Sequence, residues 1–345
     1  DPTAPGVRLR QRVFDPLVPL FDGRTRLIVA PDGSLWTLPL ECLPTDLGEP
    51  LLAQYGISYV SSARSAAVMH ADRAPEPRSP AHGPPRSSAL VIGAPDYDLP
   101  RAASTAAAST AAASTAAAST AASAALADSA FRFGPLPGTR DEACAVADVF
   151  GVEPTLGAAA TTACVRGARD PLAVHFATHG FALDASAAGG RLAGAPLLRT
   201  GLALAGANAR AMDGDDAGVL TADEVASLNL RATALVVLSA CKTGLGEIEY
   251  GEGLASLARS FEAAGAACVI AGLWSVPDAE TRDLMTAFYR RLTPECGVAD
   301  ALRQAKLELW RRHGDVRGWG AFVCTGAWGP VTLRPLDAPG AAALG

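Results

Sequence analysis

Ala234-Leu-Val-Val-Leu-Ser-Ala-Cys241-Lys-Thr-Gly244 is an apolar run that stops at a cysteine and opens into a glycine-rich segment. Unalternating Val and Leu are what a strand buried on both faces requires, as in parallel sheets covered by helices. A second stretch, Leu172-Ala-Val-His175-Phe-Ala-Thr-His179-Gly180, has the same design. Ligand sites in such sheets lie beyond the carboxyl ends of the strands, where both His179 and Cys241 fall. A thiol and an imidazole there are the minimum for nucleophilic catalysis. Alone, either residue is more often a core thiol or a structural imidazole. The pairing, with Gly180 next to His179 and Gly244 close after Cys241, makes the case for chemistry. Backbone amides at Cys241, Gly244 and Gly246 are candidates for an oxyanion pocket. His175 shares a face with His179 by the strand period of two and is expected to orient or buffer the site.

Outward from these stretches, strands and helices alternate. Strands are predicted at 172–178, 201–205, 234–240 and 267–275. Helices are predicted at 139–150, 160–167, 221–228, 253–264, 278–292 and 298–312, the first opened by a capping-type Thr139-Arg-Asp-Glu142. The fold class is α/β, a mostly parallel sheet flanked by helices on both faces. Upstream, residues 6–22 suggest a short helix. Arg26–Ala30 and Leu35–Leu38 read as a hairpin turning at Pro31-Asp-Gly33. Ile57–Val60 and Ala89–Gly93 are further strands, with a short helix near 63–70, and residues 72–86 carry five prolines, as a linker does. Residues 102–125 contain only Ala, Ser and Thr, repeating with a period of five. That period matches neither a helix face nor a strand face, so the segment reads as a linker with nothing to dock it.

At 345 residues with 49% hydrophobic and 19% charged residues, the chain has room for a sizeable core. A net charge of −6 gives no general attraction to nucleic acid or anionic membranes. No run reaches transmembrane length, and no signal segment opens the chain. Seven scattered cysteines without a CxxC pair argue against a zinc knuckle and a disulfide framework, and favour the reducing cytoplasm. No metal and no cofactor is expected. The Ala, Gly, Arg and Pro content suggests a GC-rich bacterial genome.

From about Arg26 to Pro330 the chain resembles a CHAT domain, the caspase-like module often found behind tetratricopeptide repeats. The motifs are Leu27-Ile-Val-Ala-Pro-Asp-Gly33, Leu38-Pro-Leu-Glu41, Leu136-Pro-Gly-Thr139, His175–Gly180, Gly201-Leu-Ala-Leu204, Gly218-Val-Leu-Thr221 and Leu238–Gly244, followed by Gly251-Glu-Gly-Leu254, Gly272-Leu-Trp-Ser-Val276 and Gly320-Ala-Phe-Val323. The resemblance, to caspases, separases and gingipains among others, implies a cysteine endopeptidase whose dyad is Cys241 and His179, with His175 outside it and the Gly180 and Cys241 amides at the oxyanion. It implies three parts: 1–100 as an N-terminal portion, 101–125 as the linker and 126–345 as the catalytic portion. It also implies a protein or peptide substrate, N-terminal repeats or another regulatory partner, and a role in bacterial defence or signalling.

In the enzymes it resembles, a strand after the nucleophile pairs with the extended peptide. Here that segment is Ala271–Pro277, with Trp274, Ser275 and Val276 as substrate-binding residues. Asp184, Asp213 and Asp215, the last beside Asp216, are candidates for a pocket favouring Arg or Lys. Asp213, Asp215, Gly218 and Glu224 also fall on EF-hand positions, but Ala217 removes a ligand, and Thr221 with Glu224 is equally a capping box. Glu247 and Glu252 read as caps of the helix near Leu254. The competing function is a noncatalytic caspase-like scaffold.

Overall fold

The computed structural model describes residues 4–71, 89–100, 122, 126, 132–168, 171–183, 194–209, 218–239, 241–242 and 252–330. In chain order the elements are α1 (Ala4–Val13), β1 (Arg26–Val29), β2 (Gly56–Tyr59), α2 (Ala63–Ala71), β3 (Ala89–Pro95), α3 (Pro137–Phe150), β4 (Thr155–Gly157), α4 (Thr162–Gly167), β5 (Ala173–Ala177) and β6 (His179–Ala182). There follow β7 (Thr200–Ala203), β8 (Val219–Thr221), α5 (Ala222–Ala226), β9 (Leu235–Leu238), β10 (Cys241–Lys242), α6 (Glu252–Ala263), β11 (Cys268–Gly272), α7 (Asp278–Arg291), α8 (Val298–His313), α9 (Val316–Trp319) and β12 (Phe322–Gly326).

Eight strands form one sheet in the order β1-β2-β12-β11-β9-β5-β3-β4. Every pairing is parallel except β11 with β12. The α/β reading, a mostly parallel sheet with helices on both faces, therefore holds. Alternate residues of the central strands feed two cores. Val91, Ala173, Leu235, Val237 and Ile270 pack with α3, α7 and α8, while Ile92, Val174, Phe176, Val236, Leu238 and Val269 pack with α4, α5 and α6. Each strand residue is thus apolar whichever way it points, which is why the runs do not alternate. The fit of α3 over β3 is close: a Cβ added at Gly93 would stand 2.4 Å from the Ala143 Cβ and 2.7 Å from the Thr139 carbonyl oxygen.

A second sheet, β10-β6-β7-β8, extends from the first. Its β6 continues β5 past Thr178, and its β10 follows β9 in sequence.

Four local expectations are corrected. Residues 33–37 form a 3₁₀ turn capped by the Asp32 carboxylate rather than a hairpin arm, and β1 pairs in parallel with β2. The predicted strand 267–275 stops at Gly272. At the start of α3, Thr139 Oγ1 bonds back to the Leu136 carbonyl at 2.7 Å, and Glu142 is buried rather than capping. Ala122, inside the segment expected to dock nowhere, is helical and fully buried beside Tyr97, Leu126, Phe133 and Phe181. A methyl side chain needs no amphipathic stripe to fill such a site. By contrast, Thr221 and Glu224 do form the capping box on α5.

Candidate active site

The two strand-end residues are brought together by register. In the first sheet β5 and β9 run side by side with His175 opposite Val237 and Phe176 opposite Leu238. Three residues further along each strand, β6 and β10 pair in parallel with His179 opposite Cys241 and Gly180 opposite Lys242. The same offset is kept across the change of sheet. Neighbouring strands lie about 4.8 Å apart, so this register makes the backbones of His179 and Cys241 direct neighbours.

The His179 ring occupies an aromatic slot. Its centroid lies 5.2 Å from that of Tyr97 and 5.6 Å from that of Phe133. Nε2 is 2.7 Å from the Gly134 carbonyl oxygen. A carbonyl only accepts, so Nε2 carries the proton and Nδ1 holds the lone pair. Nδ1 is buried and has no hydrogen-bond partner among the described residues. Burial lowers the His179 pKa from its ordinary 6.5, with the Gly134 carbonyl and the Asp278 carboxylate acting in the opposite direction. The imidazole is therefore neutral at pH 7, in the form that accepts a proton.

The slot is braced below. Thr178 Oγ1 donates to the Ala203 carbonyl at 2.5 Å, leaving its lone pair for the Tyr97 hydroxyl 3.0 Å away. Burial pushes the Tyr97 hydroxyl up to about 12, so it stays protonated. Tyr97, Phe133, Gly134 and Asp278 escaped the sequence reading. Tyr97 sits in the loop after β3, another carboxyl end in the same row, and that position was the available signal. Asp278 begins α7, and its Oδ2 lies 3.4 Å from the Gly138 amide.

Other expected residues fall elsewhere. His175 does not orient His179. It is 1% exposed, its Nδ1 lies 3.1 Å from the Tyr289 hydroxyl, and its Nε2 lies 3.2 Å from Glu142 Oε1 without hydrogen-bond alignment. The change of sheet at Thr178 ends the period-two relation on which its role rested. Gly180 is paired with Leu202 of β7 as well as with Lys242. Strand amides lie in the sheet plane, so an oxyanion role for Gly180 requires one of these pairings to open.

Ala271 has no free edge, because it is paired with Leu238 of β9 on one side and Val323 of β12 on the other, while Gly272 is paired with Phe322 of β12. Peptide pairing is left to residues 272–277, of which Leu273 already donates its amide to Ala321. The Trp274 indole donates to the Arg317 carbonyl at 2.9 Å, Ser275 is exposed, and the Val276 side chain is buried in the core. Val276 can therefore meet a peptide only through its backbone. Glu224 gives one carboxylate oxygen to its capping box and the other to Arg166 at 2.5 Å, which removes the last EF-hand ligand. Asp184, Asp213, Asp215, Asp216, Gly244, Gly246 and Glu247 lie outside the described residues. Glu252 opens α6. Among the described residues, no group of His, Cys, Asp and Glu side chains is arranged to hold a metal, and no helix is long and apolar enough to cross a membrane.

Fold and site together define an α/β protein with a cysteine and a histidine opposite one another on neighbouring parallel strands that follow the carboxyl ends of β5 and β9. The family model of the CHAT domain matches residues 3–327, and the chain belongs to that family. It is similar to human Tetratricopeptide repeat protein 28, with 28% identity over 333 residues, covering 88% of this chain and 12% of that protein. The mouse protein of the same name is 28% identical over 225 residues, covering 56% of this chain and 9% of its own length. The chain thus spans a small fraction of the curated relatives it matches.

Proposed function

We propose that this chain is a cysteine endopeptidase acting through a Cys241–His179 dyad. The observation that carries the reading is the state of His179: proton fixed on Nε2 by Gly134, a buried Nδ1 with no hydrogen-bond partner among the described residues, and Cys241 as its register partner. Nδ1 takes the thiol proton as the sulfur attacks the scissile carbonyl carbon and the C–S bond forms. The proton then passes to the leaving amine as the C–N bond breaks, and water hydrolyses the acyl-enzyme. Amides of Cys241 and Gly180 are the oxyanion donors in this scheme. The backbone at Trp274–Val276 receives the peptide, and Asp184, Asp213 and Asp215 favour a basic residue before the scissile bond. Repeats like those named in the relatives present a protein substrate, and defence or signalling in a bacterial cytoplasm is the setting the resemblance implies.

The test is digestion of a proteome-derived peptide library, with N-terminal sequencing of the products. Cys241→Ala and His179→Ala should each abolish cleavage while the circular dichroism spectrum is unchanged. Cleavage that survives either substitution refutes the dyad. No cleavage by the parent protein, together with a Cys241 inert to iodoacetamide, favours the noncatalytic scaffold.

A further inference from the structure

We propose that Asn208 is a positioning residue for the Cys241–His179 site, holding the segment that fixes the imidazole; the inference rests on the peptidase reading only for its kinetic consequence. Asn208 follows β7 in Ala-Gly-Ala-Asn208, a stretch to which the proposed chemistry assigns no role. Its Oδ1 accepts from the Phe133 amide at 2.8 Å, and its Nδ2 donates to the Phe133 carbonyl at 3.0 Å. One side chain thereby satisfies both backbone groups of Phe133, as a neighbouring strand would. Nδ2 also donates to Asp98 Oδ1 at 2.9 Å, and the Asn208 backbone amide donates to the Tyr97 carbonyl at 2.9 Å.

The consequence is geometric. Phe133 and Tyr97 are the two walls of the His179 slot, and Asn208 grips the backbone of both. Gly134, whose carbonyl sets the His179 tautomer, is the next residue after the clamped one. A primary amide is the only short side chain that both donates and accepts in this way. Asn208→Asp keeps the size and the acceptor, loses the donor, and sets a carboxylate against Asp98 and the Phe133 carbonyl.

The experiment has two readouts. Long-range ¹H–¹⁵N correlation of the histidine side chains at pH 7 should show a single Nε2–H tautomer for His179 in the parent protein and a mixture in Asn208→Asp. The rate of Cys241 carboxamidomethylation by iodoacetamide, followed by peptide mass spectrometry, should fall on the order of 10-fold at pH 6.5. That is the order of loss expected when a thiol loses the assistance of a neighbouring imidazole. The double variant Asn208→Asp/Asp98→Asn remakes the loop tie with donor and acceptor exchanged, yet leaves the Phe133 carbonyl without its donor. It should regain thermal stability while staying slow and tautomerically mixed. An unchanged tautomer in Asn208→Asp, or full recovery of tautomer and rate in the double variant, overturns the proposal. If His179→Ala leaves Cys241 alkylation unaltered, the peptidase reading fails, and the tautomer readout still decides the role of Asn208.

Discussion

Removing the ammonium of Lys306 should cost this protein a large part of its stability. Lys306 lies mid-way along α8 with its side chain 1% exposed, and its Nζ is 3.0 Å from Glu41 Oε1, itself on a side chain 4% exposed. The other carboxylate oxygen accepts from the Tyr59 hydroxyl at 2.5 Å. At this separation the Coulomb attraction is about 5 kcal/mol for an effective dielectric near 20. Desolvating both ions costs several kcal/mol, so the intact pair contributes little net stability. Lys306→Met is different: it conserves length, opens little cavity and strands a buried carboxylate with one hydroxyl partner. The expected loss is about 3–5 kcal/mol, against a total of roughly 5–15 for a folded protein. Lys306→Met/Glu41→Gln removes both charges while an amide oxygen still faces Tyr59, and should recover all but about 1–2 kcal/mol. Urea unfolding followed by tryptophan fluorescence, with an unchanged m value, reads these numbers. A loss under 1 kcal/mol in Lys306→Met, or strict additivity in the double variant, refutes the argument.

Three further outcomes follow from the site and the sheet. Because burial holds His179 below 6.5, the acid limb of Cys241 alkylation should fall below pH 6.5, and Asp278→Asn, which removes a charge favouring imidazolium, should move it lower still; a limb that moves upward contradicts this account. The same sign makes the His179 contribution to stability complete above about pH 6.5 and progressively lost as pH falls below it, which thermal melts across pH 5–8, compared with those of His179→Ala, would detect. Gly93→Val places branched carbon against Ala143 and the Thr139 carbonyl and should cost about 1–3 kcal/mol, read as a lowered melting temperature; an unchanged melting temperature shows that α3 yields freely.

What could be read from the chain was whatever its apolar runs encode directly. Strands β5, β9 and β11 and helices α3, α6, α7 and α8 were legible because their period or continuity follows from which faces they bury. The second sheet was legible only at β7, which the predicted strand 201–205 overlaps. Its strands β6 and β8 are four and three residues long, too short to show a period, and β6 reads as the tail of the β5 run. The turn at Asp32 was misread because Pro-Asp-Gly suits a hairpin and a capped 3₁₀ turn alike, and only a parallel partner thirty residues downstream separates the two. That Cys241 and His179 stand at neighbouring strand ends was legible from position. The residues that give His179 its tautomer were not, since a backbone carbonyl at Gly134 carries no side-chain signature.

The buried Glu41 links these threads. It belongs to Leu38-Pro-Leu-Glu41, one of the motifs on which the family resemblance rests, yet its partners are Lys306 and Tyr59 rather than anything at the Cys–His pair. Tyr59 ends β2, and β2 joins the sheet through β12, so the pair ties the first sixty residues to α8 and to the strand beside β11. Motif residues thus divide by physics into two groups. One sets the register of the central strands and thereby the separation of Cys241 and His179; the other closes the far half of the sheet against α8. A substitution in the second group should act on stability with the pH profile of Cys241 alkylation unmoved, while one in the slot around His179 should move the profile first. Measuring both quantities for Lys306→Met and for Asn208→Asp separates the two groups in one protein.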